Sequence, residues 1–323
     1  MSRVNTVAAL VVSVVLVLAG SPAARAVSNI NPKFDNGLQP GAPGYDDFGW
    51  NLNNFPDQAT LNNAKGVVAQ AATNWAFIFP GANLNLDVDV KYDIPLAFFN
   101  QETQGVCGVG GITATNLAGD RPTKGTIILN KNIGFGANGW FVDPTPVDHS
   151  EFQKSNVADE VWFGTARPGS PAVGKVDMLS CAKHEFGHTL GYFFDSAGTR
   201  FAPYKTEVAL DMNNQRWINV LDFIGLKLPI GLANDDKISH FMSGGNVQGT
   251  NFAIARLLMD DSPLNNGERT IMSPFDISAL AKVYGLLPNS GDYTLLGKNQ
   301  IVPEPATLGL LSLGLLLGRK ARR

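Results

Sequence analysis

The stretch Lys183-His184-Glu185-Phe186-Gly187-His188 holds residue types that bind and use a divalent metal, in the order H-E-x-x-H. On a helix, positions i and i+4 share one face, so His184 and His188 can meet one ion. Glu185 projects beside them, within reach of a metal-bound water whose proton it can take. Two imidazoles and a neighbouring carboxylate suit zinc used for hydrolysis. Zinc in such a site requires a third protein ligand.

The candidates for that ligand are few, because the chain has only four histidines. His149 precedes the motif in a Pro- and Asp-rich segment, and His240 follows it at a distance. Among carboxylates, Asp195 lies just past the motif and Glu207 lies further on, near the spacing at which some zinc peptidases place a glutamate ligand on the next helix. Composition and spacing leave all four open.

Gly191 extends the motif to H-E-x-x-H-x-x-G, which resembles the metzincin clan of zinc peptidases. In that clan the glycine ends the helix and the chain swings to a third ligand three residues later. Here that position is Phe194, which cannot bind zinc, so this chain departs from the pattern. The leishmanolysin family inserts a long segment before its third histidine and follows it with a methionine turn beneath the metal. Ser239-His240-Phe241, and then Leu257-Leu258-Met259, resemble that arrangement. The resemblance implies His184, His188 and His240 as zinc ligands, Glu185 as the catalytic base and Met259 as the methionine turn. Met272 is a rival for the last role.

Several elements must position these residues. Residues 58–79 place Leu61, Ala64, Val67, Val68, Ala71, Ala72, Trp75 and Ile78 on one helical face. Residues 84–94 alternate apolar and polar as a strand does, and residues 125–132, GTIILNKN, follow a glycine with β-branched residues. A loop-rich stretch over 139–152 leads to the motif helix, expected at about 177–191 with Met178, Leu179, Ala182, Phe186 and Leu190 on its apolar side. An insertion over 192–239 follows, in which Trp217, Val220, Leu221 and Ile224 can form the face of a small helical unit. Residues 272–286 read as a closing helix. Ser273 is its N-cap, Pro274 its first residue and Asp276 the partner in a capping box. Ile277, Leu280, Ala281 and Tyr284 form its buried face, and Gly285 ends it. This order predicts an α+β fold. The metzincin resemblance refines it to a zincin with a twisted sheet, an active-site helix and an irregular C-terminal subdomain.

Both ends read as addresses. A basic start, an apolar run over Val7–Leu18 and the site Ala24-Arg25-Ala26 fit a secretory signal over 1–26. The domain proper is then 27–300. Residues 301–323 combine Val302-Pro303-Glu304-Pro305, a Leu-rich run and a basic tail, and resemble the PEP-CTERM sorting signal of exported bacterial proteins. That resemblance implies an exosortase-type enzyme as processing partner. It also implies membrane contact only through this segment before processing, and a secreted or cell-surface destination. The signal and the tail after Glu304 carry six of the 25 basic residues, which leaves 19 against 28 acidic ones. An acidic body disfavours nucleic acid as a partner. Cys107 and Cys181 suffice for one disulfide in an exported chain, and Cys181 equally suits a buried thiol.

The expectation is an exported zinc endopeptidase acting on proteins or peptides. A substrate would lie as an added strand along GTIILNKN if that strand is a sheet edge, and Tyr192 and Tyr284 are nominees for oxyanion stabilisation. The alternative is a surface or matrix binding protein with a degenerate zincin fold. Phe194 favours that alternative, and the retained Glu185 opposes it.

Overall fold

The computed structural model describes residues 28–78, 85–94, 105–113, 121–158, 161–190, 208–210, 215–221, 226–232, 257–259, 265–273, 276–277 and 280. Among these the fold is a mixture of α and β, with few helices and small sheets. The first strand, β1 (Asn29–Lys33), is followed by a long helix, α1 (Gln58–Ile78). Asp57 caps that helix, its Oδ1 accepting from Thr60 N at 2.6 Å. The expected apolar stripe from Leu61 to Trp75 is buried throughout. Its alanines and valines keep the helix surface low, so a second helix can approach closely.

The main sheet has the order β1, β2 (Asn85–Asp93), β4 (Arg121–Asn130), β3 (Gly105–Thr113). The first three are parallel, and β3 runs antiparallel to β4. Strand β2 follows its sequence alternation. Leu86, Val88, Val90 and Tyr92 are buried, and the charged residues between them face outward. Ile127 and Leu129 of β4 join the same core. GTIILNKN is therefore not a sheet edge: β4 lies between β2 and β3, and the outer strands are β1 and β3. Strand β3 is hard to read in sequence because GVCGVGGIT is glycine-rich, and glycine weakens a strand pattern.

The segment expected as a loop contains β5 (Trp140–Phe141), which pairs with β8 (Val176–Asp177) just ahead of the motif helix α2 (Met178–Leu190). Between them, β6 (Phe152–Ala158) and β7 (Val161–Ala166) form a hairpin, and β12 (Glu268–Thr270) adds to β7. Helix α2 packs on α1 and against β3 and β4. Cys181 on this helix is a buried free thiol.

The insertion differs from expectation. It holds an antiparallel sheet of β9 (Val208–Leu210), β10 (Gln215–Leu221) and β11 (Leu226–Leu232) instead of a helical unit. Trp217, Val220 and Leu221 lie in β10, and Ile224 is outside the described residues. The β-branched and aromatic content of QRWINVL favours a strand. Pro229 opposes helix and sits in β11, an outer strand of this sheet, where a missing N–H is tolerated.

For the closing helix the described residues are Met272, Ser273, Asp276, Ile277 and Leu280, with Asp276, Ile277 and Leu280 helical. The capping box is formed: Ser273 Oγ accepts from Asp276 N at 3.2 Å and Asp276 Oδ2 accepts from Ser273 N at 2.7 Å. The segments read as signal peptide and sorting tail lie outside the described residues.

Candidate metal and catalytic site

Helix α2 starts where a carboxylate caps it. Asp177 Oδ2 accepts from Ser180 N at 3.1 Å and Ser180 Oγ at 2.6 Å. Asp177 also receives a two-point grip from Arg269 of β12, with Nε to Oδ2 at 3.0 Å and Nη2 to Oδ1 at 2.8 Å. Arg269 is wholly buried and pairs with Asp143 at 2.8 Å as well. Its guanidinium lies 4.4 Å from the ring centre of Phe152. Thr270 N donates to Ser180 Oγ at 2.8 Å, so backbone and side chain of β12 both fasten the helix start.

Further along, Trp75 Nε1 donates to the Lys183 carbonyl at 2.8 Å, which ties α2 to α1. Lys183 itself is buried, and burial together with nearby Arg269 lowers its pKa to about 7. The Asn74 amide, oriented to satisfy its neighbours, accepts from Lys183 Nζ at 3.1 Å.

The two motif histidines meet. His184 Nε2 and His188 Nε2 are 3.0 Å apart, with the rings edge to face. His184 Nδ1 lies 2.6 Å from the Leu258 carbonyl oxygen. A carbonyl only accepts, so Nδ1 carries the proton and Nε2 presents its lone pair toward His188. Burial lowers the His184 pKa, which keeps the ring in the neutral form a metal needs. Zinc bonds of about 2.0–2.1 Å in tetrahedral geometry separate two ligand nitrogens by roughly 3.3 Å, close to the spacing of this pair. A main-chain carbonyl on the far nitrogen of a metal-binding histidine is a usual way of fixing its orientation.

Glu185 sits between the two histidines in sequence and is 5% exposed. Burial raises its pKa to about 8. Met259 is fully buried against the helix at Gly187. A Cβ at residue 187 would stand 2.4 Å from Met259 Sδ and 3.2 Å from Trp75 Cζ2. Glycine in the motif is thus what admits the methionine. Met272 is buried in the same core but is not among the atoms nearest Gly187.

Of the residues singled out in the sequence, the structure brings His184 and His188 together, buries Glu185 on the same helix and packs Met259 against that helix at Gly187. His240, Asp195, Glu207, Phe194 and Tyr192 lie outside the described residues, as does Tyr284. His149 lies with the ion cluster instead, its Nδ1 3.3 Å from Arg269 Nη1. Among the described residues, no group of three His, Cys, Asp or Glu side chains converges as a metal site.

Residues missed in the sequence are Asp177, Arg269, Gly187 and the Leu258 carbonyl. Asp177 had a signal, since an aspartate directly before an apolar-periodic run is a helix-start mark. The other three depend on contacts distant in sequence.

Compared with known families, residues 302–323 match the PEP-CTERM protein-sorting motif. The motif indicates export and sorting to the cell surface, with an exosortase-type enzyme as the processing partner. No curated protein and no solved structure matches the chain. Among the described residues no helix is long and apolar enough to cross a membrane.

Proposed function

We propose that this chain is an exported zinc-dependent endopeptidase of metzincin-like fold, acting on protein or peptide substrates. The observation that carries the reading is the His184–His188 pair, Nε2 to Nε2 at 3.0 Å, on a helix that also carries the buried Glu185 and packs Met259 against Gly187. A parallel sheet with one antiparallel edge strand, backed by two packed helices, suits that fold as well.

In this reading His184 and His188 hold zinc together with His240. Zinc would polarise the scissile carbonyl and acidify a bound water. Glu185 would act as the base, taking a proton from the attacking water and giving it to the leaving amine. With its pKa raised to about 8 by burial, the carboxyl of Glu185 needs a nearby cation to be ionised at neutral pH. The Leu258 carbonyl holds His184 in the tautomer that leaves Nε2 available. The substrate backbone would pair with β3, the antiparallel edge beside α2.

The test is zinc content and casein hydrolysis of the exported protein, wild type beside Glu185→Ala. Zinc should stay near one per chain while hydrolysis falls at least ~10²-fold, as is usual for loss of a positioned base. Full activity in Glu185→Ala would sink the mechanism. Zinc without hydrolysis in the wild type would favour the surface-binding alternative.

A further inference from the structure

We infer that Asp276 is a positioning residue for His184, acting through the single peptide unit that joins Leu258 to Met259. One end of that unit, the Leu258 carbonyl, accepts from His184 Nδ1 at 2.6 Å. The other end, the Met259 N–H, donates to Asp276 Oδ1 at 3.0 Å. A peptide unit is planar, so its two ends turn together. Whatever fixes the N–H also aims the carbonyl, and the carbonyl selects the His184 tautomer and ring angle.

Asp276 is well placed for this. It is fully buried, as are Leu258 and Met259. Its Oδ2 accepts from Ser273 N and Ser273 Oγ, each at 2.7 Å, and from Leu258 N at 3.4 Å. The closing helix thus uses its capping-box carboxylate to grip the turn. One carboxylate links the start of that helix to the metal-facing histidine pair.

The two oxygens of Asp276 do separable work, which makes the inference testable. An amide has one acceptor oxygen. In Asp276→Asn that oxygen would serve the two Ser273 donors, and the Met259 N–H would face an NH2 group. Ser273→Ala does the reverse: it weakens the cap and leaves the Met259 bond to Oδ1 intact. A merely structural role predicts that both variants behave alike at equal loss of Tm.

The inference rests on the metal reading for its consequence and not for its first readout. Long-range 1H–15N NMR of the metal-free full-length protein reports the tautomer of His184 directly. The wild type and Ser273→Ala should show a proton on Nδ1, and Asp276→Asn should show mixed tautomers. Zinc affinity, measured against a competing chelator, should fall about 10- to 100-fold in Asp276→Asn, the usual effect of losing an outer-shell partner. In Ser273→Ala it should stay within about threefold, well short of that outer-shell range. Where Asp276→Asn does not fold, Asp276→Ser, which leaves the turn unheld, gives the same readout. An unchanged His184 tautomer in the Asp276 variants, or an equal loss of zinc affinity in Ser273→Ala, overturns the inference. A wild type that takes up no zinc, but loses the tautomer in Asp276→Asn, overturns the metal reading and leaves the role of Asp276 standing.

Discussion

Two buried aspartates fasten the motif region, and they do so in opposite ways. Asp177 at the start of α2 has a cation: despite full burial, the charge and two-point hydrogen bonds of Arg269, with Ser180, pull its pKa below the ordinary value. Asp276 has hydrogen-bond donors in Ser273, Leu258 and Met259, and there burial wins, so its pKa is raised. The first fastening is electrostatic and joins three chain segments, through Asp143, Asp177 and Arg269. The second aims one peptide unit. The difference suggests a division of labour, in which the cation-paired end holds the helix in the fold and the end held only by hydrogen-bond donors sets the orientation of a ring.

The largest way to break the comparison is Arg269→Met. It removes the cation and leaves Asp143 and Asp177 buried together without it. Breaking a buried ion pair by deleting one partner costs about 3–5 kcal/mol. Urea unfolding should show that loss at neutral pH. Part of it should return in acid, because a carboxylate held below its ordinary pKa contributes stability above pH 3.8 and loses it as pH falls through the lowered value. A loss under 1 kcal/mol would mean that the charged end does not anchor the helix.

The next effect is a pH dependence at the same end. His149 touches Arg269, and burial, with the charges of Lys183 and Arg269, lowers its pKa from 6.5 to about 4. The folded state therefore prefers the neutral ring. Its contribution is complete above pH 6.5 and is lost progressively as pH falls toward 4. At about 1.4 kcal/mol per unit, and with some solvent screening, this amounts to roughly 2–3 kcal/mol. His149→Gln should flatten stability over that window. A curve of unchanged slope would place the acid sensitivity elsewhere.

How far the sequence discloses this machinery depends on the reach of each contact. The α1 stripe, the β2 alternation, the motif helix and the Ser273–Asp276 cap are local patterns with fixed periods, and each is legible. Strand β3 is not, because its glycines erase the alternation that its neighbours show. In the insertion an apolar spacing suits both periods over a few residues, and β-branching together with Pro229 settles it as strand. Arg269 and Asp177 are 92 positions apart, and no local rule pairs them. The same holds for Gly187, whose role depends on a methionine arriving from far along the chain.

That methionine gives the last and smallest prediction, aimed at the Asp276 end. Gly187 lies between Glu185 and His188 in sequence, and the atoms nearest an added methyl group belong to Met259 and Trp75. The methyl would meet Met259 Sδ at 2.4 Å and Cε at 3.1 Å, both inside normal contact. Methionine is flexible and can move aside, which limits the cost of overpacking to about 1–2 kcal/mol. Moving aside also strains the peptide unit that Asp276 and His184 share, because Met259 supplies its N–H. Gly187→Ala should therefore lose stability and also disturb the His184 tautomer. Adding Met259→Ala should restore much of the tautomer without restoring full stability, since the side chain that collides is gone but its packing is lost too. The two substitutions should couple by at least ~0.5 kcal/mol in a double-mutant cycle, as residues in contact do. Strict additivity would show that Met259 does not press on the helix at Gly187, and the methionine would then be ordinary core.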